Sequence, residues 1–198
     1  FKRRVLEVLR QPLEDGLVTI SRASGSINFP SKLMLIAAMN PTPNGNYFNV
    51  INSSQSFHKV QQYLSKLSQP LLDRIDLQIE VESVSIDSLI DFKKTEEDSK
   101  TIAKRVEIAR KIQYDRQSKT NSELNSREIK EYCSLNAETL VFLKNAAKSL
   151  NFSARSFDRI KKISRTISDL SNSKNVELEH VAEAIQYRSL ERLKQFLN

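Results

Sequence analysis

Leu33-Met-Leu-Ile-Ala-Ala-Met-Asn40-Pro41 and Pro70-Leu-Leu-Asp73-Arg74-Ile-Asp76 are the two stretches whose reading decides the fold. The first is a continuous apolar run that stops at Asn40, with Pro41 blocking its continuation. That is the pattern of a buried parallel strand delivering one polar side chain to a sheet edge. The second sets an arginine between two aspartates and runs into the alternating segment Ile75-Asp-Leu-Gln-Ile-Glu-Val81, a further strand. An amide at a strand end both donates and accepts hydrogen bonds, which suits Asn40 to holding an attacking water or a terminal phosphate. A guanidinium is always charged and matches phosphate geometry, which suits Arg74 to stabilising charge on phosphate oxygens. Each also has an ordinary role: Asn-Pro is a turn former, and Arg74 can pair at the surface with Asp73 or Asp76.

Outward from these stretches, the residues before Asn40 read as a helix over Phe1–Arg10, closed by Pro12 and Gly16. A hairpin follows, Leu17–Ser21 and Ser26–Phe29 around Arg22-Ala-Ser-Gly25, with Gly25 available for a positive φ. Pro30 ends it. Residues 41–56 are rich in Pro, Asn, Ser and Gly and read as a loop. Residues 57–67 have helical spacing, and Leu71 and Leu72 anchor the arginine-bearing turn. Asp87–Phe92 reads as a short amphipathic piece. At Lys93–Asp98 apolar residues vanish and charge takes over, which predicts a boundary between domains at 1–94 and 95–198.

Everything beyond reads as helical. Ile102, Val106, Ala109 and Gln113 share a face of one long helix. Asn125-Ser-Arg-Glu128 forms a capping box, Asn136 caps a helix carrying Leu140, Leu143, Ala147 and Leu150, and Ser153 caps another with Phe157, Ile160, Ile163, Ile167 and Leu170 on its buried stripe. A last helix runs from about Glu177 towards Leu193 through Val181, Ile185 and Leu190. The fold class expected is α/β followed by all-α.

The 198 residues carry a net charge of +7, unevenly placed. Residues 1–92 hold 9 Lys+Arg against 9 Asp+Glu, and residues 93–198 hold 22 against 15. The basic second half favours polyanionic partners, or is simply a solvated helical surface. No run approaches the roughly eighteen apolar residues of a membrane span. Cys133 is the one cysteine, which excludes an internal disulfide or a cysteine metal cluster and points to a reducing cytoplasm. The start at Phe1, with no leader and no initiator Met, suggests a fragment or processed piece. His58 and His180 are too isolated to form a ligand set.

The segments Val8–Gly16, Ile20-Ser-Arg-Ala23, Ile36-Ala-Ala-Met-Asn-Pro41 and Pro70–Asp76 together resemble the magnesium-chelatase-like AAA+ ATPases, and most of all their competence-associated ComM (YifB) branch. Ser153-Ala-Arg155, Arg159-Ile160, Arg165-Thr-Ile167 and Ala184-Ile-Gln-Tyr-Arg188 extend the likeness across the helical half. The resemblance implies a partial AAA+ nucleotide-binding core with a helical lid. Asn40 would be the sensor-1 residue, Arg74 the finger completing a neighbour's site, and Arg155 the sensor-2 arginine on the lid. The hairpin would point towards a central pore, with Arg22 at its tip touching a threaded DNA, and Lys161, Lys162 and Arg165 adding a basic cluster.

The implied function is an ATP- and Mg²⁺-dependent homo-hexameric ring acting on DNA, as a branch-migration or helicase motor of natural transformation. Alternatives are the ATPase subunit of magnesium chelatase, acting on a porphyrin-binding partner, and a non-catalytic DNA-binding or adaptor module. The long connection from Pro41 to Pro70 argues against the chelatase subunit. No Gly-x-x-x-x-Gly-Lys-Ser/Thr loop is present, and three glycines could not build one in this arrangement. The likeness places that loop upstream, so the piece is expected to be inactive as an ATPase by itself. Thr42 and Asn44 stand where relatives often carry cysteines, so a metal role for that loop has no support.

Overall fold

The computed structural model describes residues 2–40, 61–81 and 97–188. The described residues divide into two units, the first running through Ile75 and the second beginning at Asp76. The expected boundary after residue 94 lies outside the described residues, as do the loop 41–56, the piece Asp87–Phe92, Leu190 and the start of the helix expected over 57–67.

In the first unit, two short helices, α1 (Arg3–Val8) and α2 (Arg10–Asp15), replace the single helix expected. Pro12 lies inside α2, but in its first turn, where the missing N–H has no intrahelical acceptor to lose. Gly16 ends α2 in the left-handed region at φ 62°. The hairpin forms as expected, β1 (Leu17–Arg22) against β2 (Gly25–Pro30), antiparallel, with Arg22 opposite Gly25. Its pleat sorts the side chains. Thr19–Asn28 (2.8 Å) and Ser21–Ser26 (2.9 Å) hydrogen-bond on one face, while Val18, Phe29, Ile20 and Ile27 share the other.

The apolar run 33–39 departs from expectation. It forms no strand, and Met34 and Ile36 are more than four-fifths exposed. A buried parallel strand needs neighbours on both edges and helices on both faces. Among the described residues the two strands pair only with each other. Residues 61–64 are helical, and α3 (Gln69–Leu72) follows, with Ser68 Oγ accepting from the Leu71 N–H and Leu71 and Leu72 buried.

The second unit is helical: α4 (Ser99–Gln117), a 3₁₀ turn (Asn121–Glu123), α5 (Ser126–Tyr132), α6 (Ala137–Ser149), α7 (Ala154–Leu170) and α8 (Leu178–Gln186). Asn125, Asn136 and Ser153 cap α5, α6 and α7. Leu143, Ile160, Val176, Val181 and Ala184 form the core beneath α6, α7 and α8, with Phe157, Ile163 and Ile167 partly buried against it. Leu170 is exposed, as are Ile102 and Val106, so α4 buries only Ala109 and Gln113 of the expected stripe.

Residues 75–81 also differ from the expected strand. The single bridge there pairs Gln78 with Arg188, and it is Gln78 that is buried, while Leu77, Ile79 and Val81 are exposed. The one buried position of the alternation is therefore a polar one, with Asp76 and Glu80 exposed.

A polar network ties the second unit together. The fully buried Asp169 carboxylate accepts from Arg116 Nη1 (2.6 Å) and Nη2 (2.9 Å), Asn121 Nδ2 (2.8 Å) and Arg165 Nε (3.1 Å). Removing a buried charge that two guanidiniums were placed to meet leaves them uncompensated. Asp169→Ala is expected to cost about 3–5 kcal/mol in urea unfolding of the chain.

Cys133 sits with Leu124 and Ile129 in a second cluster. Burial pushes its thiol up from 9.0 to about 11, against the pull of Lys161, Arg165, Arg116 and Lys162. The folded chain thus holds that proton more tightly than the unfolded one. The contribution is complete below the unfolded value of 9.0 and is lost as pH climbs towards 11. Unfolding at stepped pH should show the decline over that interval in the native chain and its absence in Cys133→Ala.

Candidate functional site

Ser68, Leu71 and Leu72 fix the turn that carries Arg74. The Arg74 Nε lies 2.7 Å from Glu14 Oε2, close enough for an ion pair though not aligned as a hydrogen bond. Its Nη1 donates to the Pro70 carbonyl (2.6 Å). The side chain retains only 9% exposure. An arginine finger expected to project towards a neighbour is therefore found drawn into its own unit. A guanidinium withdrawn from water needs an anion and acceptors, and α2 and α3 supply both. Neither expected partner of Arg74 takes this place: Asp73 accepts from Gln69 Nε2 (3.1 Å), and Asp76 is paired with Arg159.

Asn40 is exposed at the end of the unpaired segment 31–40 rather than at a sheet edge. Arg22 is exposed at the hairpin tip, where it borders a shallow depression with Ile20, Ile27 and Phe29. Asn40, Arg22 and Arg74 belong to the first unit, and the remaining candidates share α7 in the second.

Arg155 is exposed in the first turn of α7, a helix of 17 residues capped by Ser153, whose Oγ accepts from the Ser156 N–H (3.1 Å). A helix N-terminus with an arginine beside it favours anions. Around it the structure assembles residues whose parts the sequence did not reveal. Arg159, one turn on, pairs with Asp76. Arg188 is fully buried and donates from Nη2 to Ser156 Oγ (3.0 Å). The Gln78 N–H donates to the Tyr187 carbonyl (2.6 Å). The signal available was the arginine count itself: Arg155, Arg159 and Arg188 all fall in the quoted motifs, but spacing alone could not say that Arg188 turns inward.

The basic cluster on α7 is corrected in part. Lys161 is half-buried on the helix surface. Lys162 donates to the Ser122 carbonyl (3.1 Å), and burial, with Arg159 nearby, lowers its pKa. Arg165 is not on the outer face at all. It is buried, with Nε and Nη2 on Asp169, Nη2 also on Ser168 Oγ (2.6 Å), and further bonds to the carbonyls of Ser173 (2.8 Å) and Lys174 (2.9 Å). Every donor it could offer a DNA phosphate is directed at the protein's own acceptors. His180 is likewise internal, its Nδ1 accepting from the Glu177 N–H (2.9 Å).

Comparison with known proteins gives the arrangement its relatives. Residues 1–89 match the family model described as magnesium chelatase, subunit ChlI, and residues 96–188 match that of its C-terminal part. The chain thus carries magnesium-chelatase ChlI-like domains, in two successive matched segments. Within reach of this family it is 43% identical over 198 residues to the competence protein ComM of Haemophilus influenzae, covering all of this chain and 39% of that protein. It is 38% identical over 193 residues to the uncharacterised protein YifB of Salmonella typhimurium, covering 98% of this chain and 38% of the relative. YifB of Escherichia coli is 37% identical over the same length. The chain thus spans well under half the length of these curated relatives. The ChlI-like matches fall in both units, with residues 90–95 between them unmatched, and no helix among the described residues is long and apolar enough to cross a membrane.

The two basic positions on α7 are expected to separate cleanly. Arg165→Ala should cost about 3–5 kcal/mol in chemical unfolding, because it strands a buried carboxylate. Lys161→Ala should stay within about 0.5 kcal/mol, the range of an ordinary surface change.

Proposed function

We propose that this chain is the carboxyl-terminal motor portion of an ATP-driven ring that acts on DNA. The observation that carries the reading is the end-to-end match to a relative named a competence protein, with both ChlI-like segments in order. In the longer protein, bound ATP with Mg²⁺ would supply the phosphoanhydride whose cleavage drives the ring. Of the residues present, Arg155 fits a polyphosphate, being an exposed guanidinium in the first turn of a capped helix. Asn40 and Arg74 are not arranged by this chain alone to hold one.

In this reading Asn40 orients the attacking water once its segment is paired into a sheet, and Arg74 reaches the neighbouring subunit's phosphate after leaving Glu14. An interface that sets Arg74 against another subunit is heterologous, and such interfaces close into rings, here a homo-hexamer. Arg22 and Lys161 are the candidates for contact with DNA. A second reading is favoured by the ion pair itself: Arg74 ties α3 to α2 and has no role in a neighbour's site.

The two readings part in the protein extended to its relatives' length. If Arg74 is a finger, Arg74→Ala lowers DNA-stimulated ATPase turnover about 10³-fold while nucleotide affinity is kept. Mixing those subunits with phosphate-loop-dead subunits then recovers part of the activity. If Arg74 is an internal tie, Arg74→Ala and Glu14→Ala lower the melting temperature alike, and mixing recovers nothing. DNA binding by the extended protein should weaken steeply with added salt, and a flat salt response would remove DNA from the proposal.

A further inference from the structure

Arg188 is the largest side chain buried completely among the described residues. It stands just beyond α8, where its backbone N–H donates to the Ile185 carbonyl (3.1 Å) and the Gln78 N–H holds the adjoining Tyr187 carbonyl (2.6 Å). Val181 and Ala184 of α8 share a core with Ile160 of α7, so the segment that carries Arg188 is anchored on α7. From that base its Nη2 donates to Ser156 Oγ (3.0 Å). Ser156 is itself fully buried, in the first turn of α7. Its Oγ also accepts from Ser153 Oγ (3.2 Å), and Ser153 Oγ in turn accepts from the Ser156 N–H (3.1 Å). Through Ser156, the buried guanidinium therefore reaches the side chain that caps the helix.

We infer that Arg188 is a positioning residue for Arg155. By holding Ser156 from within, it fixes the first turn of α7 and so the direction in which Arg155 meets a polyphosphate. This rests on the reading of the chain as part of an ATP-driven motor and adds a residue to that same site.

The physical basis is the rigidity of one helical turn. Arg155 and Ser156 are neighbours, and successive residues of a helix are turned by about 100° from each other. Ser156 faces the interior and Arg155 is exposed, so whatever fixes the rotation of one fixes that of the other. Helix ends fray, because their first N–H groups have no intrahelical acceptor. A bond made from inside to residue 156 restrains that fraying at the turn from which Arg155 projects. Burial for its own sake does not explain a cation here. The start of a helix carries partial positive charge, so a guanidinium beneath it opposes the helix dipole. An apolar side chain would fill the space without that opposition, but it could not donate to Ser156. The same buried charge, poorly screened by salt, favours an anion at the exposed side of the turn.

Ser156→Ala and Arg188→Met cut the same bond from its two ends. In the chain, each should speed amide exchange at Ser156 and Phe157 about tenfold more than at Leu143 in the core. In the protein extended to its relatives' length, each should lower kcat/KM for ATP about tenfold, yet lower it no further, within about twofold, once Arg155→Ala is present. That lack of additivity marks a residue acting through Arg155, whereas general loosening of the fold would add to the Arg155→Ala loss. Should Arg188→Met not fold, the Ser156→Ala cycle decides by the same criterion. Additive losses, or an effect of Ser156→Ala with none from a folded Arg188→Met, overturn the inference. If Arg155→Ala lowers kcat/KM while the other two variants do not, the positioning role falls and the motor reading stands. If Arg155→Ala leaves kcat/KM intact, the part given to Arg155 in the motor reading falls and takes the positioning role with it.

Discussion

The Asp169 carboxylate is the constraint on which the helical unit depends. It has no access to water, and a bare carboxylate there would be far too costly to keep ionised. Arg116 from the end of α4, Asn121 from the 3₁₀ turn and Arg165 from α7 all converge on it. Arg165 then extends the network to the carbonyls of Ser173 and Lys174, in the turn that leads to α8. One anion thereby sets the mutual placement of α4, the 3₁₀ turn, α7 and the turn after it. The apolar core of Leu143, Ile160 and Val181 supplies the driving force for burial, but its contacts are non-directional. Direction comes from the charge network, and the start of α7, with the exposed Arg155 and the half-buried Arg159 one turn on, is displayed from that fixed base.

Among its described residues the first unit has no such network. Leu64, Leu71 and Leu72 are buried, and Arg74 and Glu14 form an ion pair, but the hairpin and the run 33–39 leave Ile27, Met34 and Ile36 in solvent. In the ChlI-like family this region is matched by only part of a longer protein. Burial of the apolar run is thus a property its own residues request but do not by themselves provide.

What could be read from the residues divides along that line. Local signals were legible: the capping side chains Asn125, Asn136 and Ser153 act within one helical turn, and Gly16 and the Arg22–Gly25 turn act within a few residues. These need nothing from elsewhere in the chain. Signals that depend on a partner misled. The 33–39 run has the composition of a central strand but no described strand beside it. The alternation in 75–81 has the right period, yet its one covered position is the polar Gln78, which Arg188 and Tyr187 hold through the backbone. Arg165 looked like part of a basic surface because Lys161 and Lys162 adjoin it, and the acceptor that draws it inward, Asp169, lies one turn away with an identity that only tertiary placement makes decisive. Of the candidate site, Arg155 is exposed in the first turn of α7. Arg74 stands where its charge is already answered.

The uncovered ribbon of β1 and β2 bears on how the two units behave as material. Two strands alone are marginal in water, and among the described residues no further strand pairs with the outer rows of this ribbon, which leaves their backbone N–H and C=O groups as a place for strand addition. With an apolar hairpin face and the bare 33–39 run beside it in sequence, the first unit offers a template for intermolecular strand addition. The same stretch, through Ile75, holds 9 Lys+Arg against 4 Asp+Glu, so like charge on every copy opposes that addition. Screening by salt therefore removes the repulsion and favours fibrous association through this ribbon.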